Sequence, residues 1–97
     1  MDDLREFPHE ARRAAGFELH SVQNGLDPKD WKPIETIGPG AKEIRIHVLG
    51  EWRIVYVAKF HDVIYVLHAF RKKTRKTSRR DIELAQRRYK AISGFGN

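Results

Sequence analysis

Apolar side chains at the start of the chain recur at mostly three- and four-residue steps: Leu4, Phe7, Ala11, Ala14/Ala15, Leu19 and Val22. Such spacing lays a single apolar stripe along an α-helix. Pro8 suits a first helical position, where no backbone N–H is needed, and Glu10 falls in the first turn, where the helix dipole favours an anion. Gly25, just past Asn24, supplies a stop. A helix over residues 8–24 is predicted. Residues 25–42 then lose all periodicity. Pro28, Pro33, Gly38, Pro39 and Gly40 mark them as a connecting loop with one short turn at 27–31, from which Trp31 folds back as a hydrophobic anchor.

Beyond the loop the period switches to two. Ile44, Ile46 and Val48 alternate with Arg45 and His47. Trp52, Ile54, Tyr56, Ala58 and Phe60 alternate with Arg53, Val55, Val57 and Lys59. Val63, Tyr65, Leu67 and Ala69 alternate with Ile64, Val66, His68 and Phe70. The breaks at residues 49–51 and 61–62 are short enough for hairpins, so the segments form an antiparallel meander. The later two strands are apolar on both faces, as expected if helices cover one side. A helical period returns with Ile82, Ala85, Tyr89 and Ile92, introduced by a Ser78/Asp81 capping signature. Residues 94–97 read as a frayed tail. The fold class is therefore α+β: N-terminal helix, three-stranded antiparallel meander, C-terminal helix, with residues 1–97 read as one domain.

Composition narrows the chemistry. A chain of 97 residues without cysteine has no disulfide framework, no thiolate nucleophile and no cysteine-bound zinc. Its longest apolar run, residues 54–58, is far short of the roughly 20 needed to span a bilayer, and its acidic start lacks the design of a secretory signal. A soluble cytoplasmic protein with no membrane partner is the expectation. The formal charge of +6 is unevenly placed: residues 1–70 carry 9 basic and 11 acidic side chains, residues 71–97 carry 10 and 2. An excess concentrated in one segment points to an anionic partner docking at one place.

Residues 71–80 hold seven cations and no anion. A solvated charge run is the ordinary reading of such a block, but this one joins a strand to a helix rather than trailing off an end. Cations held beside a sheet suit phosphates, and the hydroxyls of Thr74, Thr77 and Ser78 add hydrogen bonds. Arg71, Arg75, Lys76, Arg79 and Arg80 are thus candidate nucleic-acid-binding residues, for RNA in particular on the resemblance given below. Arg45 and Arg53 lie inside strands, where a solvent-facing arginine usually means nothing, yet a hairpin over residues 48–52 brings both onto one face. His68, at the end of the last strand, is expected among cations that favour its neutral form. The five histidines show no metal-ligand spacing, no P-loop is present, and no cofactor is expected.

The residues Glu43-Ile44-Arg45-Ile46, Trp52-Arg53-Ile54-Val55-Tyr56 and, above all, the His68-x-Phe70-x-Lys72-Lys73-Thr74-x-Lys76-Thr77 pattern resemble the RelE/HigB-type toxins of type II toxin–antitoxin systems. The terminal Asp81–Tyr89 stretch, Leu4-Arg5-Glu6-Phe7-Pro8 and Ala15-Gly16-Phe17 are similar to the phage-derived HigB-like branch. The resemblance implies a metal-independent endoribonuclease (an mRNA interferase) that cuts mRNA on the ribosome and so inhibits translation. It also implies contacts with ribosomal RNA and a cognate helix-turn-helix, HigA-like antitoxin. By position, Arg53 matches the strand arginine that contacts the scissile phosphate and Arg45 an upstream strand cation. Lys72 and Lys73 match the basic residues after the strand, and His68 belongs to the branch motif, so all five are candidate catalytic residues. The general base is open among Lys72, Lys73 and His68. Two departures stand out: the sequence starts inside or just before the first helix, so the strand that commonly precedes it either lies upstream of this start or is absent, which would expose a sheet edge; and no C-terminal tyrosine matches the proton-transfer partner of some relatives, Tyr89 falling on a core stripe. Other readings of the same patch are a non-catalytic RNA- or DNA-binding module and an inactive toxin relic that binds its antitoxin.

Overall fold

A computed structural model describes residues 3–59 and 63–95. A 3-10 turn at Asp3–Glu6 leads into helix α1 (His9–Gln23), followed by strands β1 (Trp31–Pro33), β2 (Ala41–Ile46), β3 (Trp52–Lys59) and β4 (Val63–Arg71), and helix α2 (Arg79–Phe95). The strands form one antiparallel sheet in the order β1-β2-β3-β4. The expected α+β class holds, with the meander extended by one strand.

Helix α1 forms where the apolar stripe places it. It ends in a Schellman arrangement, in which Leu26 N–H donates to Ser21 O (2.9 Å) and Gly25 N–H to Val22 O (3.0 Å), with Gly25 at φ +80°. Its stripe lies on one face of the sheet, where Phe7, Ala11 and Ala15 pack with Ile44, Ile46, Trp52, Ile54, Tyr56 and Ala69. Phe7 meets Trp52 at a ring-centroid distance of 4.4 Å. Burying an aromatic pair of this kind is worth several kcal/mol, so Phe7 closes the N-terminal turn onto the sheet. The other face carries a second cluster in which Ile37, Ala41, Val55, Val57, Leu67 and Ala85 pack with the apolar stripe of α2. Helices thus cover both faces, not one, which is the physical reason β3 is apolar on both faces over residues 54–57. Tyr65 belongs to this second cluster rather than sharing a face with Trp52 and Tyr56.

The segment read as a connecting loop with one short turn contains β1. Three residues give no alternation to detect, and Pro33 argues against a strand; pairing with β2 in the register Trp31↔Ile44 creates it. A short edge strand bearing Lys32 and Pro33 is a poor template for further pairing. Trp31 is half-buried, with the Lys42 ammonium 4.7 Å from its ring centroid. Helix α2 runs to Phe95, further than the expected tail allowed. The predicted second hairpin falls partly at residues 60–62, outside the described residues.

The predicted alternation of β4 fails at its centre. Val55 faces His68 and Tyr56 faces Val66, so Leu67 is an extra residue in a β-bulge. Before it Tyr65 points to the α2 face; after it His68 and Phe70 do, because one inserted residue reverses the parity. Arg88 of α2 donates to the carbonyl of Leu67 (2.8 Å), satisfying an acceptor at the irregularity.

A candidate phosphate-binding site beside an internally neutralised arginine pair

The face of the sheet under α2 is apolar only where the helix covers it. Toward the β2–β3 hairpin the same face carries Glu43, Arg45 and His47 on β2 and its end, Glu51 and Arg53 across from them, and His68 and Phe70 on β4. Arg45 and Arg53 are directly paired in the register, as the hairpin predicted. Two guanidiniums opposed on adjacent strands repel unless a counter-charge lies between them. Glu43 supplies it: its Oε1 is 3.7 Å from the Nε of each arginine, and its side chain is 0% exposed. Glu51 reaches both terminal nitrogens of Arg53 at 3.3 Å, and Arg53 also donates to Trp52 O at 3.0 Å. Asp30 pairs with Arg45 at 3.6 Å.

Arg53 therefore is not the solvent-facing cation its alternation suggested. Its side chain is 7% exposed and held by carboxylates on two sides. The Glu43 Oε1 and Arg53 Nε atoms that face each other make no hydrogen bond, so the ion pair is buried and imperfectly satisfied.

The hairpin above the pair is fastened by His47, which had carried no signal beyond a lack of metal-ligand spacing. Its Nδ1 lies 2.8 Å from Glu51 Oε2 and its Nε2 lies 2.7 Å from Asp30 Oδ2. These hydrogen bonds, that to Asp30 first, hold the imidazole above the usual histidine pKa, and the same bonds hold Asp30 and Glu51 below the usual carboxylate values. Asp30 and Glu51 thus each touch an arginine of the pair and His47 together.

The basic segment is ordered by its own polar groups. Lys72 N–H donates to Glu51 O at 2.7 Å, extending the β3–β4 ladder past the strand end. The Thr74 hydroxyl donates to Lys76 O (2.5 Å), and Thr77 Oγ1 donates to the buried Glu43 at 3.5 Å. Ser78 caps α2: its Oγ accepts from Asp81 N–H (3.1 Å) and donates to Asp81 Oδ2 (2.6 Å). The segment walls a groove of about 560 Å³ along the outer edge of β4, in which Arg71, Lys72, Lys73, Lys76 and Arg80 face only Glu6 and Asp81 as anions. His68 and Phe70 also line it, their rings stacked at 4.8 Å, and His68 Nε2 lies 2.7 Å from Asp81 Oδ1. The imidazole expected among cations thus meets a carboxylate. Lys72 and Lys76 also line a second, smaller groove with Lys32 and Arg75.

The structure thus gathers His68, Lys72, Lys73, Arg71, Lys76 and Arg80 at one groove and places Arg75 on the adjoining one. Arg45 and Arg53 lie on the same sheet face, Arg53 directly opposite Phe70, but line neither groove. Arg79 points away, paired with Glu83 at 3.3 Å on the outer surface of α2. Glu43, Glu51 and Asp30 were not read as site residues. The signal for Glu43 was its position two residues before Arg45, which puts both on one strand face. Tyr89 packs, partly buried, against the second cluster with its hydroxyl donating to Pro39 O (2.7 Å), and burial pushes the Tyr56 phenol up to about 12. Among the described residues, no three His, Asp or Glu side chains converge as metal ligands, and no helix is long and apolar enough to cross a membrane.

Fold and site together define an α+β protein that presents a basic groove beside an internally neutralised arginine pair. Residues 2–90 match the family described as Phage derived protein Gp49-like (DUF891), and the chain belongs to that family, a RelE-like toxin family of toxin–antitoxin systems. Comparison with curated proteins gives no match.

Proposed function

We propose that the chain is the toxin of a HigB-like pair, an endoribonuclease acting on mRNA at the ribosome and held inactive by a helix-turn-helix antitoxin. The observation that carries this reading is the groove itself: lysines and arginines fixed along a strand edge, with a buried imidazole in the same wall. A single RNA strand laid along the groove meets cations for its phosphates and the face of Phe70 for a base.

Cleavage there follows the chemistry of internal ribose attack. The 2′-oxygen bonds to phosphorus, its proton passes to the His68 imidazole, and the P–O5′ bond breaks. The departing 5′-oxygen takes a proton from the ammonium of Lys72 or Lys73, leaving a 2′,3′-cyclic phosphate. Fixed ammonium groups stabilise the charge that builds on the phosphorane oxygens. Arg53 reaches a phosphate once Glu51, half-exposed on the hairpin, swings off it. Arg45, a third exposed, lies beside it as a second cation.

The test is a purified translation system programmed with a defined mRNA, read by primer extension in the presence of EDTA. The expected result is discrete cuts that require ribosomes and disappear with Lys72→Ala/Lys73→Ala. Salt-sensitive RNA binding with intact mRNA would replace this reading with that of a non-catalytic binding module.

A further inference from the structure

Asp81 does two jobs with one carboxylate. Its Oδ2 accepts from Ser78 Oγ in the cap of α2, and its Oδ1 lies 2.7 Å from His68 Nε2 across the gap between helix and sheet. The cap alone would account for an aspartate at this position: three residues after a serine cap, it favours the helix start through the dipole. It does not account for the contact with His68, which depends on the β-bulge at Leu67 turning the imidazole toward α2. His68 is 7% exposed, stacked on Phe70, and lines the groove together with Asp81, Lys72 and Lys73.

We infer that Asp81 is the positioning residue for His68, holding the neutral ring as the tautomer that carries its proton on Nε2. A carboxylate accepts only, so Nε2 must donate to it, and Nδ1 is then the basic nitrogen of the neutral ring. The same contact fixes the ring plane. An aspartate–histidine pair set in a phosphate groove is the arrangement a general base for ribose hydroxyls requires. The inference deepens the endonuclease reading and rests on it for the reaction, while the tautomer itself can be observed without any turnover.

Nitrogen-15 spectra of the histidine-labelled protein at alkaline pH are expected to show His68 as the Nε2–H tautomer, and Asp81→Asn is expected to abolish that preference. In the translation assay Asp81→Asn should lower kcat at least tenfold with KM changed less than twofold. Gln86→Ala is the control for a merely destabilised α2: it removes the bond from Gln86 Nε2 to Thr36 O (2.7 Å) and should lower Tm with kcat retained. A wild-type His68 protonated on Nδ1, or an Asp81→Asn enzyme with unchanged kcat, would overturn the role given to Asp81. A wild-type protein that cuts no mRNA yet shows the Nε2–H tautomer would overturn the endonuclease reading and leave Asp81 as the residue that orients His68.

Discussion

Arg45 and Arg53 stand directly opposite each other on β2 and β3, and a single buried carboxylate, Glu43, lies 3.7 Å from both. Glu43 is thus the shared buried counter-charge of the pair, with Asp30 and Glu51 at its exposed rim. Glu43→Gln keeps the shape and removes the charge, leaving a buried guanidinium facing a second one. The expected loss is about 3 kcal/mol in urea unfolding, as for other broken buried pairs. Replacing both partners by apolar residues, Glu43→Leu with Arg53→Met, should recover most of it. A Glu43→Gln loss below about 1 kcal/mol would show the trio to be well hydrated.

Glu51 occupies the terminal nitrogens of Arg53, and on the proposed reading it competes there with RNA. Glu51→Gln releases the terminal guanidinium nitrogens and is expected to tighten binding of a short single-stranded RNA about threefold at low salt. The log–log salt slope should steepen by about 0.7, the value of one more phosphate contact on a single strand. His47→Ala loosens the same hairpin while leaving Glu51 on Arg53, and it should not reproduce the steeper slope. Fluorescence anisotropy at several salt concentrations measures both.

The His47 clamp makes stability depend on pH in a defined direction. His47 is raised above its ordinary 6.5, so its contribution is full below about 6.5 and fades as pH rises through the raised value. Asp30 and Glu51 are lowered from 3.8 and 4.5, so theirs are full above those values and fade as pH falls through the lowered ones. The clamp is therefore strongest from about pH 4.5 to 6.5. Thermal melts of His47→Gln should lie closest to wild type at the alkaline end, above the raised His47 pKa, and furthest below it within that window. Parallel curves across the whole range would contradict the clamp.

Gly38 is required by a close approach. A Cβ at this position would lie 2.5 Å from the Tyr89 ring, which is pinned through its hydroxyl to Pro39. Gly38→Ala is expected to cost about 2 kcal/mol through overpacking. In a chain of this length that lowers Tm by roughly 8–16 °C. Adding Tyr89→Leu, which replaces the ring with a smaller branched side chain, should return some of the loss.

Much of this fold was readable because its periods are clean. The stripe from Leu4 to Val22 and the alternation from Trp52 to Val57 are each dictated by burial on a known face. The Arg45–Arg53 juxtaposition was readable too, since a short hairpin leaves little freedom of register. Strand β1 was not, because three residues ending in proline become a strand only by docking on β2. Nor was the burial of Arg53: alternation places it on a face but does not show that Glu43 and Glu51 converge there. Asp81 was read as the partner of Ser78 in the cap of α2, which it is. Its second contact depends on β4 and α2 meeting in space, and sequence spacing has no access to that.

The bulge at Leu67 makes the groove a matter of counting. Side chains after it reach the α2 face because the strand holds one residue more than its partner. Exchanging Leu67 for another apolar side chain keeps the count and hence the address of His68. Deleting one residue there would send the imidazole and Phe70 to the α1 side and turn Ala69 and Arg71 toward the helix in their place. In this protein the identity of the groove's chemistry is written in sequence letters, but its location is set by chain length between two hydrogen bonds.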